Sequence, residues 1–154
     1  MAMASLDAAT VSERPVADSR VRTPLILYDG VCGLCTSSVL YVIRRDPCKR
    51  FTFASMQSRL GQELLARFRL PRDEFTTFVL VTADGCAVQS TAALQVAKEL
   101  GGLWPLLYAL ILVPAPIRDI VYRIVARNRY RWFGRSDTCF MPSIEIKDRF
   151  LDAG

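Results

Sequence analysis

Two cysteines separated by two residues, Cys32 and Cys35, are the side chains of this 154-residue chain best suited to chemistry, and Asp29 stands three residues before them. A CxxC pair can shuttle between dithiol and disulfide: one thiolate attacks a substrate disulfide, and the other thiol resolves the mixed disulfide. The stretch Leu25-Ile26-Leu27-Tyr28-Asp29-Gly30-Val31-Cys32-Gly33-Leu34-Cys35 shows how they are held. Its apolar run predicts a strand buried on both faces. Val39, Val42 and Ile43 follow Cys35 at helical spacing, so the cysteines fall where a central strand hands over to a helix. There the unpaired N–H groups and the positive end of the helix dipole stabilise a thiolate at Cys32. Cys35, one turn deeper, is placed to resolve. Asp29 has two readings: a turn or cap accepting N–H bonds from the cysteine loop, or a proton acceptor for Cys35.

What is missing narrows the chemistry further. The chain contains no histidine, which removes Ser-His-Asp triads, Cys-His nucleophiles, Cys/His zinc fingers and any imidazole base. No bound cofactor is called for. A metal at Cys32 and Cys35 would have to recruit Cys48, Cys86, Cys139 or carboxylates, and no second CxxC exists. The alternatives to exchange chemistry are therefore two buried small hydrophobes, or a non-catalytic module that docks a partner or holds a metal through the CxxC. The other three cysteines read as unpaired thiols, with Cys139 the best placed of them to act as a second resolving group. An odd, scattered set of five cysteines suits a reducing compartment. Intracellular, chiefly cytoplasmic, placement is expected, with organellar import left open by the Ala- and Ser-containing start.

The elements that must position the pair follow from periodicity and turn chemistry. Residues 1–23 lack periodicity and an apolar signal core, and read as a disordered leader. Folded structure is expected over 24–140, with 141–154 as a flexible tail. Leu25–Tyr28 is the first strand, the helix after the cysteines ends near Asp46-Pro47, and Phe51–Ala54 is the second strand, parallel to the first. Ser58 caps a helix carrying Leu60, Leu64 and Phe68. Phe75–Thr82 and Cys86–Gln89 form a hairpin about Ala83-Asp84-Gly85. Ser90 caps a helix with Ala93, Val96, Ala97 and Leu100 on one face, stopped by Gly101-Gly102. A short apolar helix begins at Trp104-Pro105. Another begins at Pro116, with Ile117, Ile120, Val121, Ile124 and Val125 at helical spacing and a stop at Asn128. The most apolar stretch, Leu103–Val113, holds Pro105 and ends at Pro114, too short for a membrane span.

The order is βαβαββα with additional C-terminal helices, an α/β pattern that, with CxxC at the first strand-to-helix turn, resembles the thioredoxin fold. More narrowly, Leu25 to Cys139 resembles the DCC family of predicted thiol-disulfide oxidoreductases, small proteins named for an Asp-Cys-Cys signature. The residues that carry the resemblance are Asp29-Gly30-Val31-Cys32-Gly33-Leu34-Cys35, Ile43-Arg44-Arg45-Asp46, Phe53-Ala54-Ser55 and Ala126-Arg127-Asn128-Arg129-Tyr130-Arg131-Trp132-Phe133-Gly134, with Cys139 beyond. It implies exchange with protein or low-molecular-weight thiol and disulfide substrates. Two departures from thioredoxins stand out: no proline lies between the cysteines, and Phe75-Thr76-Thr77 stands where thioredoxins place a cis-proline.

The formal charge of +5 is localised. Six arginines, Arg118, Arg123, Arg127, Arg129, Arg131 and Arg135, face one acid, Asp119, in a single segment, which accounts for the whole excess. The plain reading is a solvated helix face with arginines packed on aromatics; an acidic partner or anionic lipid is the functional one. Nucleic acid is disfavoured, since no motif such as RNP1 accompanies the arginine and aromatic alternation. For Asn128 to Trp132 the functional reading is a wall of the redox cleft or a docking surface.

Overall fold

The computed structural model describes residues 24–72, 78–135 and 140–152. An apolar run that hides both faces needs a neighbour on each edge, and β1 (Leu25–Tyr28) has them. It pairs in parallel with β2 (Thr52–Ser55) and antiparallel with β3 (Val79–Thr82), which pairs antiparallel with β4 (Gly85–Val88). The sheet order is β2-β1-β3-β4. Side chains alternate along each strand. Leu25, Leu27, Ala54, Val79 and Val81 pack on Leu64 and Leu65 of α2 (Arg59–Arg67) and on Phe68 at its C-cap. Ile26, Tyr28, Phe53 and Leu80 pack on α1 (Gly33–Arg45) and α3 (Gln89–Glu99) through Val39, Val42, Ala92 and Val96. A sheet covered on both sides, with the expected βαβαββα order, is a thioredoxin-like α/β fold. After α3 come a 3-10 stretch, Trp104–Leu112, and the long α4 (Ala115–Phe133).

Most element expectations hold, and the exceptions have physical causes. The second strand starts one residue later than expected, because the Phe51 N–H donates to the Asp46 carboxylate at 3.0 Å. Ser58 does cap α2, accepting the Gly61 N–H at 3.0 Å. Gly61 is required there, since a Cβ would lie 2.1 Å from the Ser55 carbonyl oxygen. Ser90, by contrast, is no cap: α3 starts from Val88 without a side-chain cap, and the Ser90 hydroxyl instead bonds the Asp119 carboxylate of α4. Ala93 is exposed, and Ala92 and Leu94 take the buried face. The expected start of the third strand, Phe75 to Thr77, lies outside the described residues, as do 1–23 and Cys139.

The largest corrections concern the C-terminal third. The final helix does not stop at Asn128; it runs to Phe133 and ends at Gly134, whose φ of 80° is a glycine conformation. Its apolar stripe faces outward, and it buries Asp119, Ala126 and Arg129 instead. The expected tail is also integrated. Phe150 lies in the core against Phe53, with ring centroids 5.4 Å apart. The Leu151 N–H donates to the Phe53 carbonyl at 2.9 Å, and Arg149 is buried in an ion pair with Asp46.

Candidate active site

β1 ends in a tight turn, Asp29-Gly30-Val31, that delivers the chain to α1. Cys32 takes the N-cap position with extended backbone, and its Sγ accepts the Cys35 N–H at 3.4 Å. The sulfur thus meets a backbone donor and the positive end of the helix, which together favour negative charge on it. Cys35 is different. Burial, then the hydrogen bond and charge of Cys32, push its thiol up to about 12, with Asp29 adding to the rise and Arg129 opposing it. Cys35 therefore keeps its proton at neutral pH. Both cysteines are free thiols.

Accessibility runs opposite to the expectation that Cys35 lies deeper. Cys32 is only 1% exposed, whereas Cys35 is half-buried. The chain just after α4 roofs the cysteine loop. The Gly33 N–H donates to the Gly134 carbonyl at 3.3 Å, Cys32 forms a β-bridge with Arg135, and the Phe140 N–H donates to the Gly30 carbonyl at 2.9 Å. A Cβ on Gly33 would stand 2.5 Å from the Phe133 carbonyl oxygen, so only glycine admits so close an approach. Cys35 lines a cleft of about 450 Å³ with Leu34, Tyr41, Val96, Trp104 and Tyr122. Tyr122 accepts the Phe78 N–H at 2.8 Å, and burial raises its hydroxyl pKa.

Asp29 is the hub beneath the loop and is 1% exposed. Its Oδ1 accepts the Val31 N–H at 3.1 Å and Gln57 Nε2 at 2.6 Å; its Oδ2 accepts Arg129 Nη2 at 3.0 Å and the Tyr130 hydroxyl. Gln57 Oε1 in turn accepts the Gly30 N–H at 3.0 Å and the Ser55 hydroxyl at 2.6 Å. The turn is thereby fixed from β2 and α4 together. Burial weighs against the Arg129 cation, yet the Tyr130 hydroxyl, Cys35 and Asp29 together raise its pKa above the ordinary arginine range. Burial, then the bond to Asp29, raises the Tyr130 pKa as well.

Of the residues singled out in the sequence, the fold brings Asp29, Cys32 and Cys35 together. Cys48 is exposed and Cys86 lies in the core, where burial pushes its thiol up to about 11. The basic face divides. Arg129 is 4% exposed and paired with Asp29, so it is unavailable to a partner. Arg118 is half-buried and donates to the Val113 carbonyl at 2.9 Å. Arg123, Arg127, Arg131 and Arg135 are exposed. Gln57 and Tyr122 carry no local signal in the sequence; Arg129 and Tyr130 stand in a recognisable block, but nothing local marks their inward role. Among the described residues no group of three or more thiol and carboxylate side chains is gathered where it could hold a metal ion, and no helix is long and apolar enough to cross a membrane.

Comparison with known proteins agrees with this geometry. Residues 26–135 match the family model for DCC1-like thiol-disulfide oxidoreductase. The chain is 42% identical over 136 residues to the uncharacterized protein YuxK of Bacillus subtilis (strain 168), covering 88% of this chain and 99% of that protein. It is 38% identical over 119 residues to the chloroplastic DCC family protein At1g52590 of Arabidopsis thaliana, covering 77% of this chain and 69% of that protein. No solved structure matches. With the CxxC at the head of α1 and the match running from β1 to the bridge at Arg135, the chain belongs to the DCC1-like thiol-disulfide oxidoreductase family.

Proposed function

We propose that this protein exchanges its Cys32–Cys35 dithiol with the disulfides of protein or low-molecular-weight substrates. The observation that carries the proposal is the Cys32 sulfur at the N-cap of α1, 3.4 Å from the Cys35 N–H. In the reducing direction, the Cys32 thiolate attacks one sulfur of a substrate disulfide. That S–S bond breaks, one substrate thiolate leaves, and a mixed disulfide joins Cys32 to the other half. Cys35 then gives up its proton to solvent and attacks the Cys32 sulfur, expelling the second substrate thiolate and closing the Cys32–Cys35 disulfide. Two electrons pass to the substrate, and the reverse sequence oxidises a dithiol.

Within this reading Asp29 is a positioning residue. Both carboxylate oxygens are already committed to four donors, which supports the loop-holding role over direct proton transfer with Cys35. Its charge still acts on Cys35, raising the pKa. The odd, scattered cysteine set supports a reducing compartment, the cytoplasm or an organelle. The test is a redox titration with thiol alkylation and mass mapping, paired with trapping. A reversible two-electron transition confined to Cys32 and Cys35 is expected, and Cys35→Ser should accumulate a mixed disulfide on Cys32 that Cys32→Ser does not form. A chain that binds metal stoichiometrically and shows no such transition would be a binding module instead.

A further inference from the structure

The outer face of α4 is used by nothing described so far. Ile117, Ile120, Val121, Ile124 and Val125 recur at the spacing of one helix face, and exposure runs from 36% at Val125 to 60% at Val121. The preceding 3-10 stretch adds Leu106 and Leu110, 69% and 49% exposed. An uncovered run of this size marks an interaction surface. Its flank says which kind. Arg123, Arg127 and Arg131, four residues apart, form an exposed column along the stripe. The one acid of α4, Asp119, is buried against Ser90, so the outer face carries cations without a carboxylate. Beyond them, at the helix end, Trp132 and Phe133 are 55% and 52% exposed.

From this pattern we infer that α4 seats the protein on an anionic lipid surface, lying in the interface with its isoleucines toward the acyl boundary and its arginines on the headgroups. An apolar face, a cationic flank and terminal aromatics are what such a surface requires of a helix. A second copy fits less well, because pairing these faces would bring two arginine-bearing helices together with no carboxylate between them. The seat has a consequence for the redox pair. The last turn of α4 abuts Gly33 and the chain leaving it bridges Cys32, so the bound membrane lies beside the cysteine loop, and disulfides presented at a membrane surface become its nearest substrates. This last step rests on the proposed exchange activity; the binding itself does not.

Vesicle flotation of the full chain tests the binding directly. Vesicles of phosphatidylcholine with about 30% phosphatidylglycerol should carry the protein up the gradient, pure phosphatidylcholine should do so far less, and raising salt from about 50 mM to about 500 mM should weaken the anionic binding. Replacing the column (Arg123→Gln, Arg127→Gln, Arg131→Gln) should lower partitioning roughly a hundredfold at low salt. Ile120→Ser with Ile124→Ser should lower it at least about tenfold. All five positions are exposed, so near-UV circular dichroism and Cys35 alkylation should be unchanged in both variants. Failure to float with anionic vesicles would overturn the inference, as would equal binding to neutral ones. So would a dimer dissolved by the isoleucine variant, or salt-sensitive capture by polyglutamate in a protein that ignores vesicles. None of these outcomes bears on the redox titration, so the two proposals fail separately.

Discussion

The pair formed by Asp29 and Arg129 joins the cysteine turn to a helix a hundred residues away, and its energetic weight can be worked out in advance. Both side chains are almost wholly buried, at 1% and 4% exposure, with 3.0 Å between Nη2 and Oδ2. Removing one partner strands the other charge in the interior, at a cost of about 3–5 kcal/mol. In Arg129→Met the stranded group is the Asp29 carboxylate, which keeps its bonds from Val31, Gln57 and Tyr130. Nothing described accepts from Arg129 Nε, so part of the guanidinium's desolvation is uncompensated in the native protein. Both points place the loss near the lower end, about 3 kcal/mol, or roughly 6–12 °C in Tm for a domain of this size. Asp29→Asn should cost a similar amount by stranding the cation. The double variant carries neither charge and should lose clearly less than the sum of the singles, with a coupling of about 2 kcal/mol. Arg129→Lys should fall between, keeping charge but losing the planar fork, and the exposed Arg127→Met should stay within about 0.5 kcal/mol. Urea denaturation of the reduced protein measures all five. Single losses below about 1 kcal/mol, or strictly additive ones, would refute the claim that this ion pair fastens α4 to the active-site turn.

Other expectations follow from the same geometry. Gly33→Ala places a Cβ against the Phe133 carbonyl, which must shift; a loss of about 1–3 kcal/mol and faster alkylation of Cys32 are expected, and unchanged Cys32 accessibility would show that the roof is not what shields it. The reduced protein should lose stability as pH rises above about 9. Cys35 ionises near 9 when unfolded but only near 12 when folded, so the native state holds the extra proton in that window, and its contribution is full below 9 and gone above 12; denaturation midpoints against pH for wild type and Cys35→Ala should diverge there. Phe150→Ala should cost about 3–5 kcal/mol by emptying a core site beside Phe53, and a thermal melt near wild type would contradict its place in the core.

How far the sequence reveals the fold depends on the range of the interactions involved. Strand β1, helix α1 and the Ser58 cap were legible because their causes lie within a few residues: a two-sided apolar run, a helical stripe, a hydroxyl three positions before the N–H it accepts. The role of α4 was not legible, since a 3.6-residue period marks a face without saying which way it points. Its buried face is written in polar residues, Asp119, Tyr122 and Arg129, whose partners Ser90, Phe78 and Asp29 lie far away in the chain. A charge satisfied at long range reads locally as surface. Cys32 and Cys35 were found because the motif is contiguous, but which thiol is covered depends on a loop a hundred residues on. Phe150 stands in a short, mostly polar terminal segment, and its burial rests on a β-bridge to Phe53 and on ring contacts with Tyr28, Phe53 and Phe140 that are distant in the chain.

Helix α4 is pinned toward both ends of its buried face, Asp119 to Ser90 of α3 and Arg129 to Asp29 at the end of β1, with Tyr122 bonded to Phe78 between them. The pins are ten residues apart, about 15 Å along the axis. A helix seated only on greasy area can creep along its groove, trading one contact for an equivalent one. Two directional bonds at that separation act as a vernier. A slip of one residue turns the helix by about 100°, so neither pin can be remade at a neighbouring setting. The helix therefore has one seat, and the Phe133 carbonyl of its last turn arrives over Gly33, next to Cys32, at a fixed height. The outer face, carrying no part of that alignment, is free to change sequence without moving the cysteines.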